Sequence, residues 1–241
     1  MTGNYPCVIA HRCGGALAPE NSLAGLAAAA RCGCRGVEFD TMLAADGVPV
    51  LMHDETVDRT TSGRGEVAAL TSAQLRALDL GGEPVPLLAE ALERCAELGL
   101  WANIELKAPR GREVQLGQVV GRLLADRWNG NGLISSFSEA ALAAARREAP
   151  AFACALLFDK LPADWRQRAE RLGVVAIHCS ARHVTAKEIA AMRTAGYVVA
   201  CYTVNLRGRA EDLLAAGVSA VFTDRPDLWC AEEMQGTTIN T

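Results

Sequence analysis

The sequence predicts an α/β protein of the (β/α)8 TIM-barrel class, on three observations. Short apolar runs alternate with Ala-, Leu-, Arg- and Glu-rich stretches of helical length, the pattern of repeated βα units on a parallel sheet. About eight such units fit in 241 residues, close to the ~250 residues such a barrel takes. Four of the apolar runs end on clusters of charged or titratable residues: His11-Arg12, Glu38-Phe39-Asp40, His53-Asp54 and Glu105-Leu106-Lys107. Groups of this kind are costly at the ends of apolar strands unless they have partners or a task. In a barrel the C-terminal strand ends meet at one mouth, where active sites are built. A doubly wound open sheet also arises from βα repeats and is the alternative.

The elements follow in order. Strands are expected near 7–12, 36–42, 48–53, 101–106, 132–137, 152–158, 174–179, 198–203 and 219–223, and helices near 22–33, 87–98, 112–128, 138–148, 164–172, 185–195 and 207–216. Asn21 or Ser22 can cap the first helix, Ser138-Glu139 opens another, and Thr185 precedes Ala-Lys-Glu, all side chains or sequences that favour helix starts. Gly99, Gly173, Gly196 and Gly217 each follow a helix, where a left-handed residue is wanted. The rhythm breaks at about 55–84, which holds Arg59-Thr60-Thr61-Ser62-Gly63-Arg64-Gly65, a weak helix near 71–78 and Gly81-Gly82-Glu83-Pro84. A structureless loop that long is unusual in a compact domain, so the stretch reads as a small insertion over the barrel mouth. Residues 1–241 are read as one domain carrying this insertion, with a loosely held polar tail after Leu228.

Half of the chain is hydrophobic, enough at this length for a sizeable core. The net charge of −4 argues against a surface coated with nucleic acid and leaves room for a local basic pocket. No uninterrupted apolar run is long enough to span a bilayer, and the N-terminus has no charged and apolar leader pattern, so stable membrane association is not expected. Nine cysteines cannot all pair within one chain. Cys95, Cys154, Cys179 and Cys201 fall inside apolar patterns, where Cys acts as a small hydrophobe, and Cys32-Gly33-Cys34 lacks zinc-knuckle spacing. A reduced, cytoplasmic setting is expected.

Side chains two apart on a strand face the same way, about 6.6 Å apart at Cα. Glu38 thus faces with Asp40, and Glu105 with Lys107. Three carboxylates meeting at one mouth repel unless a cation joins them, and oxygen ligands favour a hard ion, Mg2+ or Ca2+, over zinc. The plainer alternative pairs Glu38 with Arg35 and leaves Asp40 to close a turn, but it does not account for the similar Glu105-Lys107 pattern. His11 and His53 are candidate acid and base, since imidazole titrates near neutrality. Asp54 either orients His53 or caps the next turn. His178 reads as a hydrogen-bonded core histidine, with lining the pocket as the alternative, and His183 reads as exposed. Arg12 and Lys107 are candidate phosphate partners, Arg as a fork and Lys as a point charge, or simply balance the acids. No P-loop, no G-x-G-x-x-G and no G-x-S-x-G elbow is present.

The motifs His11-Arg12, Pro19-Glu20-Asn21-Ser22, Val37-Glu38-Phe39-Asp40, Asp46-Gly47, His53-Asp54, Arg59-Thr60-Thr61, Asn103-Ile104-Glu105-Leu106-Lys107, Tyr202-Thr203-Val204-Asn205 and Thr223-Asp224-Arg225-Pro226 occur in order along the chain. As an ordered set they resemble the glycerophosphodiester phosphodiesterases, and the short form looks most like the cytoplasmic bacterial enzyme. The resemblance implies a TIM barrel with a small insertion after the second barrel strand. It implies metal ligation by Glu38, Asp40 and Glu105, acid/base roles for His11 and His53, and phosphate contacts from Arg12 and Lys107. Tyr202, usually Trp in the family, would line the glycerol side. The implied reaction is metal-dependent hydrolysis of a small-molecule glycerophosphodiester to sn-glycerol 3-phosphate and an alcohol, with Mg2+ or Ca2+, or Mn2+, as the ion. The family motif His-Arg-Gly here reads His11-Arg12-Cys13, and a positive φ or a close backbone approach at position 13 would make the Cys costly. Cys13 as a nucleophile is a minor alternative. Two rivals remain: another TIM-barrel metalloenzyme acting on a phosphorylated small molecule, of aldolase or isomerase type, and a barrel that binds phosphodiesters without turning them over.

Overall fold

The computed structural model describes residues 5–128 and 130–229; the polar tail expected after Leu228 lies, from residue 230 on, outside the described residues. In chain order the elements are β1 (Val8–Ala10), α1 (Leu23–Arg31), β2 (Gly36–Leu43), β3 (Pro49–Leu51), α2 (Ser72–Arg76), α3 (Leu88–Leu98), β4 (Trp101–Leu106), α4 (Glu113–Arg127), β5 (Gly132–Ser136), α5 (Glu139–Glu148), β6 (Ala153–Phe158), α6 (Trp165–Leu172), β7 (Ala176–Ser180), α7 (Ala186–Thr194), β8 (Val198–Tyr202), α8 (Arg207–Ala215) and β9 (Ala220–Thr223). Among the described residues, eight of the nine strands pair in parallel in the order β1-β9-β8-β7-β6-β5-β4-β2, and a β1–β2 pairing closes the ring. This is the predicted (β/α)8 barrel, not an open sheet.

The period-2 alternation of strands decides which side chains fill the ring. Tyr5, Ile9, Trp101, Leu133 and Phe222 share the interior with Ala155, Ala176, Ala200 and Ala220. Bulky groups on one wall are thus matched by small ones on the other, as a filled barrel requires. Strand residues of the opposite parity, such as Val37, Phe39, Ile104, Ile134, Leu156, Ile177 and Val221, point outward into a larger core under the helices. Helix starts follow the capping chemistry. Ser22, Ser138 and Thr185 each accept from a backbone N–H of the first turn. Ser22 is therefore the cap of α1, and Asn21 is left for another purpose.

The strand expected at 48–53 has a different role from its neighbours. β3 runs antiparallel to the end of β2, pairing Leu43 with Pro49 and Thr41 with Leu51. It is no barrel strand; the chain leaves the barrel after Leu43 and returns at α3, so the inserted segment starts earlier than residue 55. Met42, Ala44, Val50, Met52, Val57, Val67, Leu75, Leu80 and Val85 give this segment an apolar core of its own. β1 and β3 flank the same edge of β2, at its start and its end. The hairpin folds the chain back toward the ring, and Met52 N donates to Asp40 O at 3.1 Å. His53, the residue after Met52, is thereby delivered to the barrel mouth by this hairpin and not by a strand of the ring.

Candidate active site

All eight side chains singled out in the sequence (His11, Arg12, Glu38, Asp40, His53, Glu105, Lys107 and Tyr202) line one cleft of about 230 Å³ at the C-terminal end of the barrel. Glu38 and Asp40 are inward residues of β2, and on β4 Asn103 pairs in register with Glu38 and Glu105 with Asp40. One oxygen from each of Glu38, Asp40 and Glu105 lies within 4.8 Å of the others. All three residues are at most 9% exposed.

The first βα loop holds this cluster from one side. Arg12 and Cys13 have φ of 51° and 75° and Asn21 has 56°, all in the region that favours glycine. That turn aims Arg12 N at Glu38 Oε2 (2.8 Å) and Cys13 N at Glu38 O (2.6 Å). The departure from glycine at 13 thus falls at a left-handed position, as the sequence warned. The Cys13 side chain is fully buried, and burial drives its thiol pKa far up, which removes it as a nucleophile. Asn21, freed from capping, brackets Asp40: its Nδ2 donates to Oδ2 (2.9 Å) and its Oδ1 accepts from Asp40 N (3.0 Å).

Each imidazole has a carboxylate behind it. His11 Nδ1 meets Asp224 Oδ1 at 2.7 Å and its Nε2 points toward Glu38 Oε2 at 3.8 Å. His53 Nδ1 meets Asp54 Oδ1 at 2.6 Å and its Nε2 lies 3.2 Å from Lys107 Nζ. Of the two readings of Asp54, orientation of His53 is the one observed. Burial lowers the pKa of His11, but the Asp224 hydrogen bond and the Glu38 charge outweigh it and raise the balance. Burial also lowers His53, and there, with Lys107 and Arg12 adding to it, the fall prevails over the pull of Asp40 and Asp54.

Arg12 and His53 are joined by a chain of charges. Arg12 Nη1 donates to both Glu20 oxygens at 3.1 Å. Arg59, from the inserted segment, donates to Glu20 at 2.7 Å and to Asp54 at 2.6 and 3.1 Å. The insertion is thereby tied to the first βα loop across the cleft. Lys107 Nζ stands 3.3 Å from Glu105 and 3.8 Å from Asp40. Burial opposes its charge, yet those two carboxylates outweigh burial and raise its pKa.

Burial first, and then repulsion from Asp40, push Glu38 and Glu105 well above the ordinary carboxylate range. Glu38 Oε1 and Glu105 Oε1 are buried without a hydrogen bond, the latter near Lys107 but not aligned with it, and Asn103 Oδ1 beside Glu38 is also orphaned. Charged and neutral oxygens left unsatisfied around one point are the donor set a hard divalent cation takes. A metal ion therefore fits these residues.

Tyr202 donates its hydroxyl to Phe158 O at 2.9 Å and so presents its ring to the cleft, edge to face with Phe137 at 6.0 Å. His178 satisfies both of its readings: it is a fully buried core residue bonded to the Tyr5 hydroxyl, and it lines the cleft floor. Burial drops its pKa to about 3, so it stays neutral. His183 is exposed, beside Asp159. The Glu38–Arg35 pairing does not form; Glu38 faces into the barrel toward His11 and the Arg12 amide.

In the sequence, Asn21 was a candidate helix cap, and Asp224, Glu20 and Arg59 stood only as members of the family motifs, without roles in the site. Asp224 had a readable signal: it ends the apolar run Ala220-Val221-Phe222 as the other clusters end theirs. Asn205 holds it in place through Oδ2 and its backbone N, both at 2.8 Å. Beyond their place in those motifs, Glu20 and Arg59 gave no sign of pairing, because the contact between them spans 39 residues of sequence.

A (β/α)8 barrel with paired imidazole–carboxylate dyads, flanking cations and a buried carboxylate cluster at its mouth defines a class of barrel enzymes built for acid/base chemistry on an anionic substrate. The chain belongs to the glycerophosphoryl diester phosphodiesterase family, whose model matches residues 11–228. It is 30% identical over 233 residues to a glycerophosphodiester phosphodiesterase of Caldanaerobacter subterraneus subsp. tengcongensis, covering 91% of this chain and 94% of that one. Among solved structures it resembles an Oleispira antarctica phosphodiesterase in complex with its product sn-glycerol-3-phosphate (TM-score 0.90, 34% identity, 92% of this chain and 94% of that one). It also resembles a glycerophosphodiester phosphodiesterase from Agrobacterium tumefaciens (TM-score 0.74, 28% identity, 92% and 97% covered).

Proposed function

We propose that this protein hydrolyses glycerophosphodiesters to sn-glycerol 3-phosphate and an alcohol. The observation that carries the reading is the single cleft in which His11 and His53, each backed by a carboxylate, flank the Glu38–Asp40–Glu105 cluster. Family membership and the product named for the Oleispira phosphodiesterase supply the substrate class; the aldolase- and isomerase-type alternative has no such support.

Glu38, Asp40 and Glu105 would hold a divalent cation, Mg2+ or Ca2+ with Mn2+ as a third candidate, which when bound neutralises charge on the phosphoryl oxygens. Arg12, with its guanidinium fixed by Glu20, and Lys107 grip those oxygens from two sides. One imidazole takes a proton from the attacking oxygen, of water or of the glycerol 2-hydroxyl, and the other delivers one to the departing alkoxide. Asp224 and Asp54 fix the two rings so that each presents Nε2 to the cleft. Tyr202 supplies an apolar wall for the glycerol arm. A cytoplasmic setting is part of the same proposal; among the described residues no helix is long and apolar enough to cross a membrane.

The deciding experiment follows release of sn-glycerol 3-phosphate from glycerophosphocholine after chelation and after adding back each of the three ions. Release that needs no ion, or none under any of them, ends the proposal. Asp224→Asn is expected to lower kcat by roughly 10–100-fold, the scale of partners that orient an imidazole, and to shift the pH profile, since the variant loses the group that raises His11. A change in KM alone would count against the positioning role.

A further inference from the structure

A second cavity, of about 220 Å³, opens off the cleft and shares His53, Glu105, Lys107 and Phe137 with it. Its remaining wall includes Met42, Glu55 and Pro109. Most polar groups there are already engaged. Ser136 Oγ donates to Leu106 O at 2.8 Å, Ser138 Oγ accepts from Ala141 N at 3.2 Å, and Lys107 is held by Glu105 and Asp40. Glu55 differs. Its backbone carbonyl accepts from Val67 N, but among the described residues its carboxylate has no hydrogen bond or ion pair. The other acids beside the mouth are committed: Glu20 to Arg12 and Arg59, Asp54 to His53 and Arg59, Asp224 to His11 and Asn205. Phe137 is 44% exposed, an unusual solvent share for a large apolar side chain at a cavity it lines.

A phosphodiester has two arms. With the phosphoryl group between Arg12 and Lys107, an arm against Tyr202 leaves the other arm to pass His53 into this second cavity. There it meets one uncommitted carboxylate and one aromatic ring, and the cation on that wall, Lys107, is held by Glu105 and Asp40. That is the chemistry that favours an ammonium group, by Coulomb attraction to the Glu55 carboxylate and by contact with the Phe137 ring. We infer that the second cavity receives the departing alcohol, and that Glu55 with Phe137 selects alcohols carrying a positive charge, of ethanolamine or choline type, over uncharged or acidic ones. The inference rests on the phosphodiesterase reading above. Glu55 is exposed, so its effect is moderate and weakens with salt.

The test compares kcat/KM for glycerophosphocholine and glycerophosphoethanolamine with that for glycerophosphoglycerol and glycerophosphoserine, in the wild type, Glu55→Gln and Glu55→Lys. The expected result is a fall in the ratio of cationic to uncharged substrate of roughly 2–5-fold in Glu55→Gln, carried by KM, the scale of one solvated charge pair with the Phe137 contact left in place. Glu55→Lys should push the ratio further and improve the serine diester relative to the others. Raising salt should shrink the wild-type preference and leave the Glu55→Gln ratio nearly flat. Ratios that stay constant across the three proteins, with all substrates turned over, overturn this inference and leave the phosphodiesterase reading standing. Absence of sn-glycerol 3-phosphate from every diester overturns both.

Discussion

Replacing either His11 or His53 with alanine is expected to lower kcat by roughly 10²–10⁴-fold, the usual worth of a positioned proton donor or acceptor. The fold should survive, because both side chains are partly exposed at the cleft, 18% and 29%, and neither belongs to an apolar core. KM should change little, since Arg12 and Lys107 supply the grip on the phosphoryl oxygens. The pair can be told apart with a diester whose leaving group is an acidic phenol, which departs without a proton. That substrate should recover most of the loss in the variant lacking the acid and none in the variant lacking the base. A loss under tenfold in both variants, with choline as leaving group, would remove the imidazoles from the chemistry.

The second large effect concerns stability without a cation. Glu38 and Glu105 are pushed up in the folded protein, to about 8 and about 7, chiefly by burial and then by Asp40. A folded-state pKa above the unfolded one means that the folded protein binds more protons across that interval, so stability falls as pH rises through it. His11, also raised, acts in the same direction at its upper end; His53, which is lowered, opposes it weakly. The metal-free protein should therefore lose stability, on the order of several kcal/mol, between about pH 5 and pH 8. Saturating Ca2+ or Mg2+ should restore it most at the alkaline end, where the carboxylates are ready to ligate. Urea unfolding at three pH values, with chelator and with each ion, measures this. Glu38→Gln should flatten the chelated curve and weaken the response to the ion. A chelated protein that gains stability toward pH 8 would mean that the three acids do not crowd one another.

Much of this architecture was legible because strands and helices announce themselves locally. The run Trp101-Ala102-Asn103-Ile104-Glu105-Leu106 alternates between barrel interior and helix-facing core, and that alternation places Asn103 and Glu105 on the inner face before any coordinates are known. Ser22, Ser138 and Thr185 mark helix starts by chemistry that needs only three neighbouring residues. β3 was harder. Its residues read as a strand, but whether a strand pairs in parallel within the ring or folds back on β2 depends on its partner, which the run itself does not record. The carboxylates behind the imidazoles divide in the same way. Asp54 adjoins His53 in sequence and was in view, whereas Asp224 reaches His11 across 213 residues.

By itself, then, the sequence determined the βα rhythm, the polar ends of the apolar runs and the chemical kinds of side chain gathered there. These depend on periodicity and residue type, which are local properties. Tertiary structure alone decided that the ring closes through β1 and β2, that His53 comes down from an antiparallel hairpin, and that Arg59 and Glu20 bind the insertion to the first loop. Each of these is a contact between distant segments, and such contacts follow from how packed elements meet in space, a relation no short stretch of chain encodes.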